Sequence, residues 1–502
     1  MKKILSLFLS TCFIFSTIPF AGSQTDIFAF DPHLLNWLKF NTSPITHLPY
    51  SFYIPDKYKP AVYRHMESEG AVQGTIERMI THEGMDIYDG AVFQIVLSLA
   101  GGPENLRQAS VADNYYWQGS LGDTWNIRAG YPINTYIYDP QHPERVSSDN
   151  GQLGQRGFIF RIIDADGNFL VKDPLDGKEN MAGFPEYTRL HWVDWKPVAG
   201  ENAWVVMGAM QLYHKKYYNP EHQVYAQHPD STELKLSREL ARAAMILQSD
   251  IGGIRMAPLG TNRNLIADER KDFTTTNWWY NHISTENNIS WYAAFRMLYR
   301  VTGEPQYKQA MDNIQRYLRF VWNDKAGYFY QGAYFANGQW QVASGNFALD
   351  VQSWSIACLG PKTLDAWFGE GTAWRIWQAG RAHSGVFDKK GNVIGVGFTD
   401  EHDRISVEWS GGAMIALGEL ADYYKGNDPS RFVQALADKF AMRMSMDSLL
   451  YNISQNLAAY SYSSRRGVIP FGWNSHDPQV MSVASTGWMI FVDAGFNPFR
   501  LV

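Results

Sequence analysis

The stretch ENNISWYAAFRMLYRVTGEPQYKQAMDNIQRYLRFV, residues 286–321, decides the architecture. In its first half Ile289, Trp291, Tyr292, Ala293, Ala294, Phe295, Met297, Leu298 and Tyr299 put apolar groups on every side of a helix. Such a helix is predicted to be buried all round. Gly303-Glu304-Pro305 then breaks the chain. From Pro305 onward, Tyr307, Ala310, Met311, Ile314, Tyr317, Leu318 and Val321 follow i, i+3, i+4, i+7 spacing. That is one apolar stripe, so the second helix covers the first and turns its other side to water.

The pairing recurs along the chain. Glu201–Tyr213 is apolar all round and is followed by an amphipathic Thr232–Leu247. Ala348–Leu359 is followed by a helix over Leu364–Ala382, and Asp89–Ala100 by one after Pro103. Val407–Tyr424 leads through Gly426-Asn427-Asp428-Pro429 to a stripe of Phe432, Val433, Leu436 and Phe440, expected to face its inner partner. A last apolar segment, Ser485–Ala494, is expected to be covered by a helix around Tyr63–Thr81, which would close a ring. Six inner segments beginning near 89, 201, 286, 350, 408 and 485 predict an all-α fold, an (α/α)6 toroid of six helical hairpins. A regular α-solenoid is disfavoured by the spacing, 85 residues from 201 to 286 but 58 from 350 to 408.

The widest gap predicts an insertion around 130–198 in a single catalytic domain over 24–502. Within it, Gly157–Ile163 and Phe169–Lys172 read as a small β-hairpin around the turn Asp164-Ala165-Asp166-Gly167-Asn168. The turn is not read as a calcium loop, because no acidic ligand follows at the required offset.

Lys2 and Lys3, the apolar run Ile4–Phe20 and the small residues Ala21, Gly22 and Ser23 read as a signal peptide over residues 1–23. Export to the periplasm or the medium is therefore expected. An uncleaved anchor and lipidation at Cys12 are the alternatives; the run is short for a membrane span. Removing residues 1–23 leaves 42 basic against 50 acidic residues, a charge of −8, and a single cysteine, Cys358, in an apolar stretch. No stable membrane span is expected after cleavage. With a net charge of −6 for the whole chain and no basic run, nucleic acid is not an expected partner. Aromatic content of 15%, with 18 Trp, suits a groove that stacks flat ligands such as sugar rings.

Five of the six inner segments open with a carboxylate: Asp89, Glu201, Glu286, Asp350 and Glu408. Parallel inner helices would bring these to one mouth, with Trp204, Trp354, Trp409 and Trp488 nearby. The competing reading is that acids favour the first turn of any helix, where they cap free N–H groups and complement the dipole. Convergence of five distinguishes a cup. Like charges in a shared cleft raise one another's pKa, which keeps a carboxylic acid protonated near neutral pH. Glycoside hydrolysis needs such a pair. Glu286 and Asp350 are the expected acid/base pair, with Glu408 and Asp89 as alternates. Glu201, Trp278, Trp279, Tyr280, Trp354, Trp409 and Trp473 are the expected substrate contacts. No metal or other cofactor is demanded. No Gly-x-Ser-x-Gly elbow, Walker loop or His-Glu-x-x-His motif is present. His402, between Glu401 and Asp403, and His476 are read as loop residues.

The phrases Thr285-Glu286-Asn287-Asn288-Ile289 with Tyr292-Ala293-Ala294-Phe295, then Leu349-Asp350-Val351-Gln352-Ser353-Trp354, and Thr486-Gly487-Trp488 with Gly495-Phe496-Asn497-Pro498-Phe499 resemble bacterial members of the six-hairpin glycosidase-like superfamily. The resemblance covers roughly residues 60–500 and is specific for the fold. It implies a carbohydrate-active enzyme without choosing a reaction, because the superfamily spans inverting hydrolases, unsaturated uronyl hydrolases and neighbours of lyases and epimerases. A glycoside hydrolase acting on an oligo- or polysaccharide is the leading expectation. A lyase or epimerase, with Tyr280, His282 and Arg404 as candidate proton-handling groups, and a non-catalytic glycan-binding protein are the alternatives.

Overall fold

The computed structural model describes residues 30–71, 76–119, 135–138, 155–159, 161–166, 170–172, 179–181, 191–194, 197–226, 228–258, 278–470 and 473–501. The predicted signal peptide lies outside them. Six helices form a closed inner ring: α4 (Ile87–Ala100), α6 (Ala199–Tyr217), α8 (Thr285–Thr302), α10 (Leu349–Leu359), α13 (Val407–Tyr424) and α15 (Val483–Ala494). Each packs on the next in that order, and α15 packs back on α4. Their starts match the six predicted ones. All are buried around their circumference, as the absence of polar stripes demands.

An outer helix covers each: α5 (Pro103–Gly119) on α4, α7 (Thr232–Ile246) on α6, α9 (Pro305–Phe320) on α8, and α14 (Pro429–Met446) on α13. The chain has the (α/α)6 toroid fold. The outer partner of α10 is two helices, α11 (Pro361–Phe368) and α12 (Thr372–Ser384), where one was expected. Gly369 and Gly371, at φ 106° and 79°, break them apart, in a backbone region that suits glycine.

Three further expectations are corrected. The cover of α15 is α1 (Pro32–Phe40), not a helix over 63–81. Its Leu34, Trp37 and Leu38 join the main core, whereas α2 (Lys59–Ser68) puts Val62 and Met66 into a separate small cluster with Ile54, Ala71 and Val480. The strands on either side of residues 164–168 do not pair with each other. Ile162–Asp164 pairs with Gly84–Asp86 and with His191–Asp194, while Leu170–Lys172 pairs with Glu179–Met181. Finally, α14 turns Val433, Leu436 and Phe440 of its expected stripe outward, and only Phe432 of the four packs against the core. Ala435, Asp438, Met442 and Met446 face the protein instead. The inward Asp438 is accommodated by hydrogen bonds from Trp377 Nε1 (3.0 Å) and Gln434 Nε2 (2.8 Å) and by Arg381.

One end of the barrel is sealed. Residues 497–501 lie across it, with Phe499 packed on Trp204, Trp354 and Trp488. Gln211 donates to the carbonyls of Pro498 and Arg500, Arg296 to that of Phe499, and Arg300 to that of Leu501. Cys358 is buried in this wall, as expected. Among the described residues, no helix is long and apolar enough to cross a membrane.

Candidate active site

The opposite end gathers the helix starts. Here the capping explanation of the acids is tested directly. The N-caps are Asp86 for α4, Ser284 for α8, Ser406 for α13 and Ser482 for α15, each accepting a backbone N–H with its side chain. Glu286 and Glu408 are therefore relieved of capping, and their carboxyls have other partners. Ser290 Oγ donates to Glu286 Oε1 at 2.8 Å, one turn along the same helix. With its amide oriented to satisfy both neighbours, Asn287 donates to Glu286 Oε2 at 2.5 Å and accepts the Gly200 N–H at 3.2 Å. A Cβ at Gly200 would stand 2.3 Å from the Asn287 side-chain amide and 3.2 Å from Glu286 Oε2, so a larger residue there must displace Asn287.

Glu408 Oε1 accepts the Tyr88 hydroxyl at 2.6 Å, and Tyr88 in turn accepts Trp488 Nε1 at 2.7 Å. Asp350 Oδ1 accepts the Val351 N–H at 2.7 Å, so it does retain part of a helix-start role. Asp89 is buried and accepts the Ala484 N–H at 3.1 Å, tying α4 to the first turn of α15. Glu201 pairs with Arg161 at 3.1 Å, and Arg161 also reaches Asp86 at 3.4 Å.

These carboxyls feel one another. Burial first, and then the charge of Asp350, hold the Glu286 proton well above the usual carboxylate range; Glu201 and Glu408 add to the rise. Burial pushes Asp350 up to about 7, restrained by its own and the Val351 backbone N–H. Glu408 is likewise pushed by burial up to about 7, with Asp350 and Asp86 raising it and the Tyr88 hydroxyl holding it down. Asp89 is raised by burial and by Asp86 and Glu408. The arrangement therefore supplies two carboxyls, Glu286 and Asp89, held protonated well above the usual range. Beside them stand Asp350 and Glu408, pushed up to about 7, the environment an acid/base pair requires.

The aromatic residues divide into a floor and a rim. One turn below the acids, Trp354 stacks on Trp488 (centroids 5.5 Å apart, 18°), and Trp204 meets both edge-on at 5.3 and 5.7 Å. Trp354 and Trp409 are each 3% exposed, the latter edge-on to Phe398 at 4.9 Å. Their expected role as sugar platforms is corrected: their faces are spent on packing. Trp278 differs. It is 36% exposed and stacks on His282 (4.1 Å, 24°), which stacks on Tyr334 (6.1 Å, 26°). Trp279 meets Trp278 edge-on at 4.9 Å. Tyr280 lies under the Arg255 guanidinium (4.0 Å), which also lies over Trp340 (4.9 Å). This ladder immediately precedes α8 and Glu286. Trp473 donates to the Tyr462 hydroxyl at 3.0 Å.

Tyr88, Tyr462, Arg161, Asn287 and Ser290 escaped the sequence reading. Tyr88, Asn287 and Ser290 adjoin the singled-out acids in sequence, so proximity was a usable signal. Arg161 and Tyr462 had none. Tyr462 is buried, and burial and Glu408 raise its pKa. Of the groups weighed for proton removal, Arg404 is structural: it donates to Ser475 Oγ at 3.0 Å and pairs with Glu401 at 3.1 Å. His476 is packed against Phe52 and Tyr462, and burial drives its pKa down to about 3. His402 lies against the Gly385 carbonyl at 2.8 Å.

No protein-family model matches the chain, and no curated protein sequence matches it. Solved structures do. D-mannose isomerase is similar over 95% of this chain and 99% of that one, at 10% identity and a TM-score of 0.53. Cellobiose 2-epimerase from Spirochaeta thermophila is similar over 93% and 94%, at 14% identity and 0.52. A sugar epimerase from a ruminal bacterium is similar over 92% and 95%, at 10% identity and 0.52. The likeness is one of fold: the chain has the (α/α)6 toroid architecture.

Proposed function

We propose that this protein is a carbohydrate-active enzyme, and that it hydrolyses glycosidic bonds in an oligo- or polysaccharide. The observation that carries the reading is the placement of Glu286 and Asp350: two half-buried helix-start carboxyls, both raised by desolvation, with the charge of Asp350 helping to hold the proton on Glu286. Glu286 donates that proton to the leaving glycosidic oxygen. Asp350 acts as the carboxylate partner, as base for a water or as nucleophile. Glu408, positioned by Tyr88, stands as alternate partner or as a ligand for sugar hydroxyls. Trp278, Trp279, Tyr280 and Trp473 contact the sugar at the rim, while Glu201 with Arg161 and Asp89 line and tie the mouth.

A second reading is favoured by the similar solved structures, which are an isomerase and two epimerases of sugars. On this reading the cup moves a proton on a free sugar and releases no new reducing end. One assay separates the two. The protein is incubated with a panel of glycans and free sugars, and reducing ends, near-ultraviolet absorbance and anomeric NMR signals are read on the same samples. Hydrolysis predicts new reducing ends, lost by about a thousandfold in Glu286→Gln and in Asp350→Asn. Interconverted sugars without new reducing ends sink the hydrolase reading, and absorbance points to a lyase.

A further inference from the structure

Two hydrogen-bond relays of the same make enter the cup. In the first, Trp488 Nε1 donates to the Tyr88 hydroxyl at 2.7 Å, and Tyr88 donates to Glu408 Oε1 at 2.6 Å. In the second, Trp473 Nε1 donates to the Tyr462 hydroxyl at 3.0 Å. There the relay stops: among the described residues no atom accepts the Tyr462 proton. A phenol is both donor and acceptor, and a buried one left half-satisfied carries a cost.

Tyr462 is held on every side but one. Its N–H donates to the Val480 carbonyl at 2.9 Å, and its carbonyl accepts the Val407 N–H at 3.3 Å, which pins it beside the starts of α15 and α13. Its ring packs on Phe52 (5.5 Å, 85°), His476 (5.5 Å, 51°) and Phe398 (6.0 Å, 40°), and the residue is 7% exposed. The hydroxyl lies in the field of Glu408, Asp89 and Arg161, all residues of the mouth. Burial and the charges of Glu408 and Asp89 outweigh the Trp473 N–H and Arg161, so the phenol keeps its proton. Glu408 is open in the complementary way. Its Oε1 is taken by Tyr88, and among the described residues no donor reaches its second oxygen. An unmatched donor and an unmatched carboxylate oxygen thus share one corner of the cup without bonding to each other. A hydroxyl answers both at once, accepting with its oxygen and donating its proton. A ligand carboxylate has no proton for Glu408 and is repelled by it, and an ammonium cannot accept from Tyr462.

We propose that Tyr462 contacts the substrate, donating to a sugar hydroxyl that in turn donates to Glu408. The assignment rests on the carbohydrate reading above and adds a residue to it. Two measurements test it. The protein, carbon-13 labelled at tyrosine Cζ, is titrated with D-mannose, D-glucose, cellobiose and any panel glycan that is turned over, and Tyr462→Phe assigns the resonance. The expected result is a shift of the Tyr462 signal by at least one of these sugars. The second measurement is kcat/KM on the sugar turned over and on its monodeoxy analogues. Tyr462→Phe should lose about ten- to a hundredfold with its thermal melt retained, the worth of one hydrogen bond from a buried donor. On one analogue the parent should lose a like factor, and Tyr462→Phe little more. Sugars that are turned over or shift other tyrosine signals while that of Tyr462 stays put overturn the proposal and leave the carbohydrate reading standing. So does a loss in Tyr462→Phe that is the same on every analogue, which would assign the residue to packing. No shift with any sugar and no turnover across the panel would strike the carbohydrate reading, and this proposal with it.

Discussion

The same six inner helices end in two opposite ways. At the mouth, their first turns present Glu286, Asp350, Glu408 and Asp89, and burial raises the pKa of each. At the far end, their last turns present Gln211, Arg296 and Arg300, and every one donates to a backbone carbonyl of residues 497–501. The far end satisfies its polar groups; the mouth keeps like charges together at a cost. Strain held at one end and satisfied contacts at the other are what a site on a rigid scaffold looks like. Substitutions at the two ends should therefore fail in different ways.

The largest stability effect is expected at the far end. Phe499 is fully buried against three tryptophans, and truncating it leaves a cavity their rings cannot fill. Phe499→Ala should cost about 3–5 kcal/mol in urea unfolding. The pH dependence of any activity should be unchanged. A loss below about 1 kcal/mol, smaller than a typical core truncation, would mean that the closing segment is dispensable and the comparison of ends is wrong.

At the mouth the sign reverses. Burial raises the folded pKa of Asp350 to about 7 from its ordinary 3.8. A raised carboxyl contributes its full stability below the unfolded pKa and loses it as pH rises through the folded one. Asp350→Asn removes the ionisation. It should thus unfold with a free energy higher than the parent by about 2 kcal/mol at pH 8, after discounting for solvent at the open mouth, and by nothing near pH 4. Equal destabilisation at both pH values would show that Asp350 serves chiefly as a helix-start acceptor for the Val351 N–H.

What was legible in the sequence follows the same division. The inner helices could be read because a helix apolar on all sides has one fate, burial, and the acids at their starts stood out against that background. Orientation was less legible. On α14 the stripe of Val433, Leu436 and Phe440 obeys helical spacing but faces out, because Ala435, Met442 and Met446 form a second stripe that spacing cannot rank below the first. Trp354 and Trp409 were misplaced for a related reason: nearness in sequence to a helix-start acid does not set direction, and Trp354, one turn after Asp350, falls into the floor while Trp409, next to Glu408, packs against Phe398. Arg161 and Tyr462 reach the cup by tertiary packing alone, which no local pattern encodes.

The smallest effect expected is also the most local. Tyr88 touches both halves of the comparison: its ring lies edge-on to Trp204 of the floor at 4.9 Å, and its hydroxyl donates to Glu408 in the cup. A donor to a carboxylate favours the charged form, so the hydroxyl holds Glu408 down while burial pushes it up. Tyr88→Phe keeps the ring and removes the donor, and it leaves Trp488 Nε1 without its acceptor. The Glu408 midpoint should rise from about 7 by about one pH unit, the worth of one charge-assisted hydrogen bond. Titration followed by carboxyl carbon NMR on glutamate-labelled protein, with Glu408→Gln to assign the resonance, reads this without any substrate. If Glu408 must be ionised for turnover, the acidic limb of the rate profile moves up with it. An unmoved midpoint would reduce Tyr88 to a wedge between floor and cup, and would leave burial and the charges of Asp350 and Asp86 to set the charge of Glu408.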